Sequence, residues 1–132
     1  MTGYKKALGA RGEEIACNHL ESQGYRVTGR NVRGGHDEID IIAENGDLLL
    51  FVEVKTRRQA PDVKNIYGRP ASAVDREKRQ NLMSAVRRYL HENRKETEAF
   101  QPRIDIIEVY VDPSEKAYKV LDIRHFPNAV HG

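Results

Sequence analysis

The chain has 132 residues, 39% of them hydrophobic and 32% charged, with 22 Lys or Arg against 20 Asp or Glu for a formal net charge of +2. That balance fits one folded domain over residues 1–132 and excludes a disordered chain. The single cysteine, Cys17, excludes an internal disulfide framework and a cysteine-rich zinc site, and the lack of any long apolar run predicts a cytoplasmic protein with no membrane partner.

In chain order, residues 8–23 carry Leu8, Gly12, Ile15, Ala16, His19 and Leu20 on one helical face, and Gly24 ends the pattern. Cys17 falls away from that face and has no evident nucleophile partner. Residues 25–33 read as a short strand. Residues 38–43 and 48–56 are the strongest strand signals, and Asn45-Gly46 between them predicts a two-residue hairpin turn, because both residues tolerate positive φ. Residues 57–70 contain Pro61, Gly68 and Pro70 with little periodicity, the pattern of a loop. Ser72, with Asp75 three positions on, predicts the cap of a second helix that turns Val74, Leu82, Ala85, Val86 and Tyr89 inward. Residues 104–111 and 117–123 complete the set as two strands around a turn at residues 112–115. The order αβββαββ predicts an α/β domain, a central mixed β-sheet flanked by helices.

Charge is unevenly spread. Residues 55–95 hold twelve Lys or Arg against four Asp or Glu, whereas both flanking stretches are net negative. A basic middle between acidic flanks suits a polyanionic partner, and it equally suits a solvated, arginine-rich helix face.

The strand at residues 48–56 carries the chemistry. Leu48-Leu49-Leu50-Phe51-Val52 is apolar on both faces, as in a strand buried on both sides, yet it continues into Glu53-Val54-Lys55. The period of two sets Leu49, Phe51, Glu53 and Lys55 on one face. With Asn45-Gly46 as the turn, paired positions sum to 91, so that Asp40 faces Phe51 and becomes the diagonal neighbour of Glu53. Two close carboxylates repel unless a cation lies between them, and their oxygens suit Mg²⁺ or Mn²⁺. Lys55 on the same face would neutralise charge and orient or deprotonate a water. These parts suffice for phosphodiester hydrolysis. An ordinary hairpin with a solvated end, and Glu53 and Lys55 as ion partners, has the same spacing.

Gly9-Ala-Arg-Gly12-Glu13-Glu-Ile-Ala16, Gly24-Tyr25, Asn31-Val-Arg33, Glu38-Ile-Asp40-Ile-Ile and Phe51-Val-Glu53-Val-Lys55-Thr-Arg57 form an ordered set, continued by Gly68, Pro70, Ala73-Val74, Lys78 and Arg103-Ile-Asp105. The set resembles the YraN family, which is similar to archaeal Holliday-junction resolvases and belongs to the PD-(D/E)xK nuclease superfamily. The resemblance covers nearly the whole chain and implies a restriction-endonuclease-like fold. It also implies a Mg²⁺- or Mn²⁺-dependent endonuclease on branched or structured DNA, and by analogy with the resolvases a homodimer. In this comparison Asp40 resembles the superfamily's metal-binding Asp, Glu53 and Lys55 its Glu-x-Lys, and Glu13 its first acid. Helical spacing agrees on Glu13, which lies on the flank of the apolar face. Two departures stand out: Asp37 where the family commonly has Gly, and Ile104 where it commonly has Phe.

Arg57, Arg58, Lys64 and Arg69 of the loop, with Lys78 and Arg79 of the second helix, are the candidates for holding a nucleic-acid backbone without reading its sequence. Tyr67 sits within that basic loop. The five histidines show no paired metal spacing. Two other classes compete with the nuclease: a nucleic-acid-binding module without turnover, and a protein-interaction adaptor.

Overall fold

The computed structural model describes residues 2–61, 76–114 and 116–131, with side chains from residue 6 onward. The elements run α1 (Thr2–Ser22), β1 (Arg26–Gly34), β2 (Asp37–Asn45), β3 (Leu48–Arg57), α2 (Arg76–Glu92), α3 (Arg94–Thr97), β4 (Gln101–Val111) and β5 (Val120–Phe126). The proposed helix cap at Ser72 and Asp75, together with Val74, lies outside the described residues.

The five strands form one mixed sheet in the order β1-β2-β3-β4-β5. The pairs β1–β2, β2–β3 and β4–β5 are antiparallel, and β3–β4 is parallel. A parallel pair needs a crossover, which here carries α2 and α3. The central strand β3 is therefore hydrogen-bonded on both sides and covered on both faces. Leu50 and Val52 pack with Ile15, Ala16 and Leu20 of α1, while Leu49 and Phe51 pack with Leu82, Ala85 and Val86 of α2. This explains why the strand reads as a continuous apolar run. Tyr89 meets Phe51 edge to face with ring centroids 5.6 Å apart.

Three expectations are corrected. The β2–β3 turn is Gly46-Asp47, with Asn45 paired to Leu48, so partners sum to 93 rather than 91. Of the turn residues only Gly46 has positive φ, at 61°. That is the pattern of a turn with glycine first, whereas an Asn-Gly turn requires positive φ at both residues. Because the register moves by two, the paired residues from Ile41 to Val52 stay on their expected faces. Cys17, expected away from the apolar face, is buried in the α1 cluster, because the helix lies across several strands and is covered on its flank as well. The last strand is Val120–Phe126, later than expected, because the preceding connection is longer. Within it Asp112 accepts from the Ser114 N–H and hydroxyl, and the Asp112 N–H reaches the Lys119 carbonyl at 2.8 Å.

Glycines mark two close approaches between helix and sheet. A Cβ on Gly12 would overlap the Thr56 side chain, so the backbone of α1 packs directly on that side chain of β3. At Gly34 a Cβ would stand 2.7 Å from the Ala85 carbonyl oxygen and 2.9 Å from its Cα, both backbone atoms of α2. Gly34→Ala is expected to cost about 1–3 kcal/mol through this overpacking. The loss would be read as a lower urea midpoint with an unchanged slope.

Candidate active site

The candidate site forms where β2 and β3 part. Their pairing ends at Ile41 and Val52, and one further step in the same register sets Asp40 opposite Glu53. Asp40 closes the ladder with its side chain: its Oδ2 accepts from the Val54 N–H at 2.8 Å. The backbone changes face at this residue. Ile39 and Ile41, two apart, belong to opposite core clusters, and on β1 the residue between the Arg30 and Val32 pairings is Asn31, at φ 51°. An Asn accepts that left-handed conformation at low cost. The irregularity releases the Asp40 carboxyl from the regular pleat toward β3.

Glu53 is 5% exposed, and its Oε1 lies 3.6 Å from both Lys55 Nζ and Lys78 Nζ. One carboxylate is thus flanked by its own strand's lysine and by one from the first turn of α2. Burial, and then the Glu53 charge, push Asp40 from the ordinary carboxylate range up to about 7. The Val54 N–H and Lys78 offset part of that rise, and Glu13 adds to it.

Glu13 enters from α1, one residue after the glycine that lets the helix approach Thr56. Its Oε1 lies 3.8 Å from Arg30, and the Asn31 side chain hydrogen-bonds to it. Burial raises its pKa, and the charges of Glu38 and Glu53 act in the same direction. Asn31 thus serves the site twice, by its backbone and by its amide. Glu38 pairs with Arg33 at 3.8 Å across the β1–β2 ladder. Beyond the acids, the buried Glu108 stands beside Lys55 in the parallel ladder and accepts from the Tyr110 hydroxyl at 2.8 Å. Burial, followed by Glu108, pushes that phenol up to about 12.

The expected backbone-holding residues separate. Lys64 and Arg69, with Tyr67, lie outside the described residues. Arg57 ends β3 beside Tyr110, and Arg58 lies over the Tyr118 ring at 5.5 Å to the centroid. Lys78 joins the acid site, whereas its neighbour Arg79 is exposed and lines a groove with Arg76. The meeting of Lys78 with Glu53 depends on how α2 docks, which no local pattern carries. The signal for Asn31 was available in principle, as a residue tolerant of positive φ opposite an acid in a hairpin.

Among the described residues, no group of three or more His, Cys, Asp or Glu could hold a metal ion. The expected triad of ligands is therefore not gathered: Glu13 is drawn toward Arg30 and Asn31, away from a shared position with the other two. Asp40 and Glu53 remain, two hard oxygen donors whose proximity raises the proton affinity of Asp40. Mg²⁺ commonly binds through one or two carboxylates, with waters and phosphate oxygens completing its shell. The acid pair fits that demand.

Among the described residues, no helix is long and apolar enough to cross a membrane. The profile of the Uncharacterised protein family UPF0102 matches residues 12–109. A UPF0102 protein of Syntrophotalea carbinolica is 37% identical over 129 residues, covering 98% of this chain and 95% of its own. One from Alkaliphilus oremlandii is 39% identical over 124 residues, 94% of this chain and 97% of the relative. One from Caldicellulosiruptor saccharolyticus is 35% identical over 125 residues, 95% and 98% respectively.

Proposed function

The chain belongs to the protein family UPF0102, and from the acid site it carries we propose that it is a metal-dependent endonuclease with a restriction-endonuclease-like fold. The observation that supports this reading best is the pairing of Asp40 with Glu53 at the end of a fully covered strand, with Lys55 against the same carboxylate. Burying like charges side by side is costly for a fold and useful to an enzyme that recruits a cation. A module that only bound nucleic acid would gain nothing from carboxylates facing phosphate.

Asp40 and Glu53 would hold Mg²⁺ or Mn²⁺. The ion, when bound, lowers the pKa of water and stabilises charge on the phosphoryl oxygens. The chain's own groups supply the rest. The Val54 N–H fixes the Asp40 carboxyl in orientation. Lys55, 3.6 Å from Glu53, carries a positive charge where the attacked phosphate gains negative charge, and its ammonium can orient the water that attacks phosphorus. That water's oxygen bonds to phosphorus, releasing a proton to solvent water, as the P–O bond to the leaving oxygen breaks and that oxygen takes up a proton from solvent water. Lys78 balances Glu53 until substrate arrives, and Glu13 keeps the local potential negative. Branched or structured DNA is the proposed substrate and a C₂ dimer the proposed assembly, both by the resemblance to junction resolvases.

The test is cleavage of end-labelled four-way junction, flap, duplex and single-stranded DNA with Mg²⁺, Mn²⁺ or EDTA. Lys55→Ala, purified identically, is expected to cut at least tenfold more slowly. Equal cutting by both proteins would assign the activity to a contaminant. No cutting by either would leave a binding module.

A further inference from the structure

We infer that the outer face of α2 is a second phosphodiester-backbone site, separate from the acid pair, which holds an uncut arm of the nucleic acid. The inference deepens the proposed function and rests on it for the identity of the polyanion.

The groove there measures about 630 Å³ and is lined by Arg76, Arg79, Arg87 and His131, with Gln80 and Ser84 between them. No acid lines it. None of the three arginines has an ion-pair partner among the described residues, whereas Arg88, which lies outside the groove, pairs with Glu92 at 3.1 Å. An exposed helix normally pairs such charges three or four residues apart. Here positions 76, 79 and 87 bring three guanidiniums within about 80° of one another around the helix, over about 16 Å of its length. A nucleic-acid strand carries one phosphate per roughly 3.4 Å of axis, so the stripe matches about five phosphates.

The opposite wall is firmly held. Val130 is buried in the core cluster of α2, and the Ala129 N–H donates to the Ile104 carbonyl at 2.9 Å, which fixes His131 beside the helix. Lys78 lies about 100° around α2 from Arg79 and about 160–180° from Arg76 and Arg87: Lys78 reaches Glu53, and the three arginines line the groove. The acid pair and the groove thus lie on different sides of α2. On this inference the backbone in the groove belongs to an arm other than the one whose strand meets the acid pair.

The test is fluorescence anisotropy in EDTA, over a series of KCl concentrations, with a labelled four-way junction and a labelled ten-nucleotide single strand. An Arg76→Gln, Arg79→Gln, Arg87→Gln protein is expected to lose at least tenfold in junction affinity at moderate salt. Its log–log salt slope is expected to fall by about 2–3, and the single strand to be little affected. Arg87→Gln alone should lower the slope by about 1, and Arg88→Gln should leave it unchanged. An unchanged slope in the triple variant would overturn the inference. So would equal losses on the single strand, which would make the groove part of the cut strand's path. Displacement of the junction by millimolar mononucleotide would overturn it in favour of a small-anion site, and equal competition by polyglutamate in favour of an acidic protein. Slope loss in a protein that cuts nothing would uphold the groove and remove the nuclease. Cutting with an unchanged slope would do the reverse.

Discussion

Asp40→Asn should make the metal-free protein more stable at pH 8 and leave it unchanged at pH 4. Burial and the neighbouring Glu53 raise the folded-state pKa of Asp40 from 3.8 to about 7. Between those values the folded chain holds a proton that the unfolded chain has released. Stability therefore falls as pH rises through this window, and the full penalty stands above it. A shift of about three units corresponds to about 4 kcal/mol at most, and about 2–4 kcal/mol is expected after local relaxation. An Asn at this position still accepts from the Val54 N–H and adds a donor toward Glu53. Urea denaturation at half-unit intervals from pH 4 to pH 8.5 in EDTA measures the effect. Millimolar Mg²⁺ should raise the stability of the parent at pH 8 and not that of the variant, because only the parent offers two carboxylates. A variant no more stable than its parent at pH 8 would show that the acids are not in conflict.

Asp105→Ala should destabilise the protein by about 3–5 kcal/mol, the usual result of breaking a buried ion pair. Asp105 is fully buried and accepts from Arg103 Nε and an Arg103 terminal nitrogen at 2.8 Å each, and from the Asn128 N–H at 2.8 Å, with His125 Nε2 at 2.6 Å. Burial alone would raise its pKa, but these partners outweigh burial and hold the carboxyl below the ordinary range. The cluster binds β4 to the end of β5 and to the chain beyond it. Removing the carboxylate strands a guanidinium and a backbone donor together. Asp105→Asn keeps an acceptor and should lose about half as much, which separates lost charge from lost packing. The departure from the family's Arg-Phe-Asp falls at Ile104, between the two paired residues, and leaves the pair itself intact.

What could be read from the chain alone follows from how local each feature is. Glu53 and Lys55 share a face with Leu49 and Phe51 because alternation along one strand needs no knowledge of the rest of the molecule. The hairpin was legible for the same reason, and its register was missed only by the choice between Asn45-Gly46 and Gly46-Asp47. That choice depends on which residues take positive φ, and both turns are compatible with the same apolar pattern. The contact of Asn31 with Glu13, the meeting of Lys78 with Glu53 and the burial of Glu108 were not legible. Each depends on the meeting of elements far apart in the chain, and a Glu in a strand has the same letter whether it faces water or Lys55. The arginine groove shows the complementary limit: helical spacing places residues 76, 79 and 87 on one side, but the second wall comes from the chain's far end.

The site is assembled from unequal stretches of chain. Asp40 and Glu53 are thirteen residues apart and meet through one hairpin, whereas Lys78 lies twenty-five residues beyond Glu53 and Glu13 twenty-seven before Asp40. Short loops close faster than long ones, and a hairpin forms in microseconds. The hairpin thus brings the two acids and Lys55 together by a short closure, whereas Lys78 reaches Glu53 only through the longer crossover. At alkaline pH Lys55 is the hairpin's own offset to the repulsion of the acids. The second balancing charge and the arginine groove are carried by one and the same helix, α2, so both are set by a single docking event.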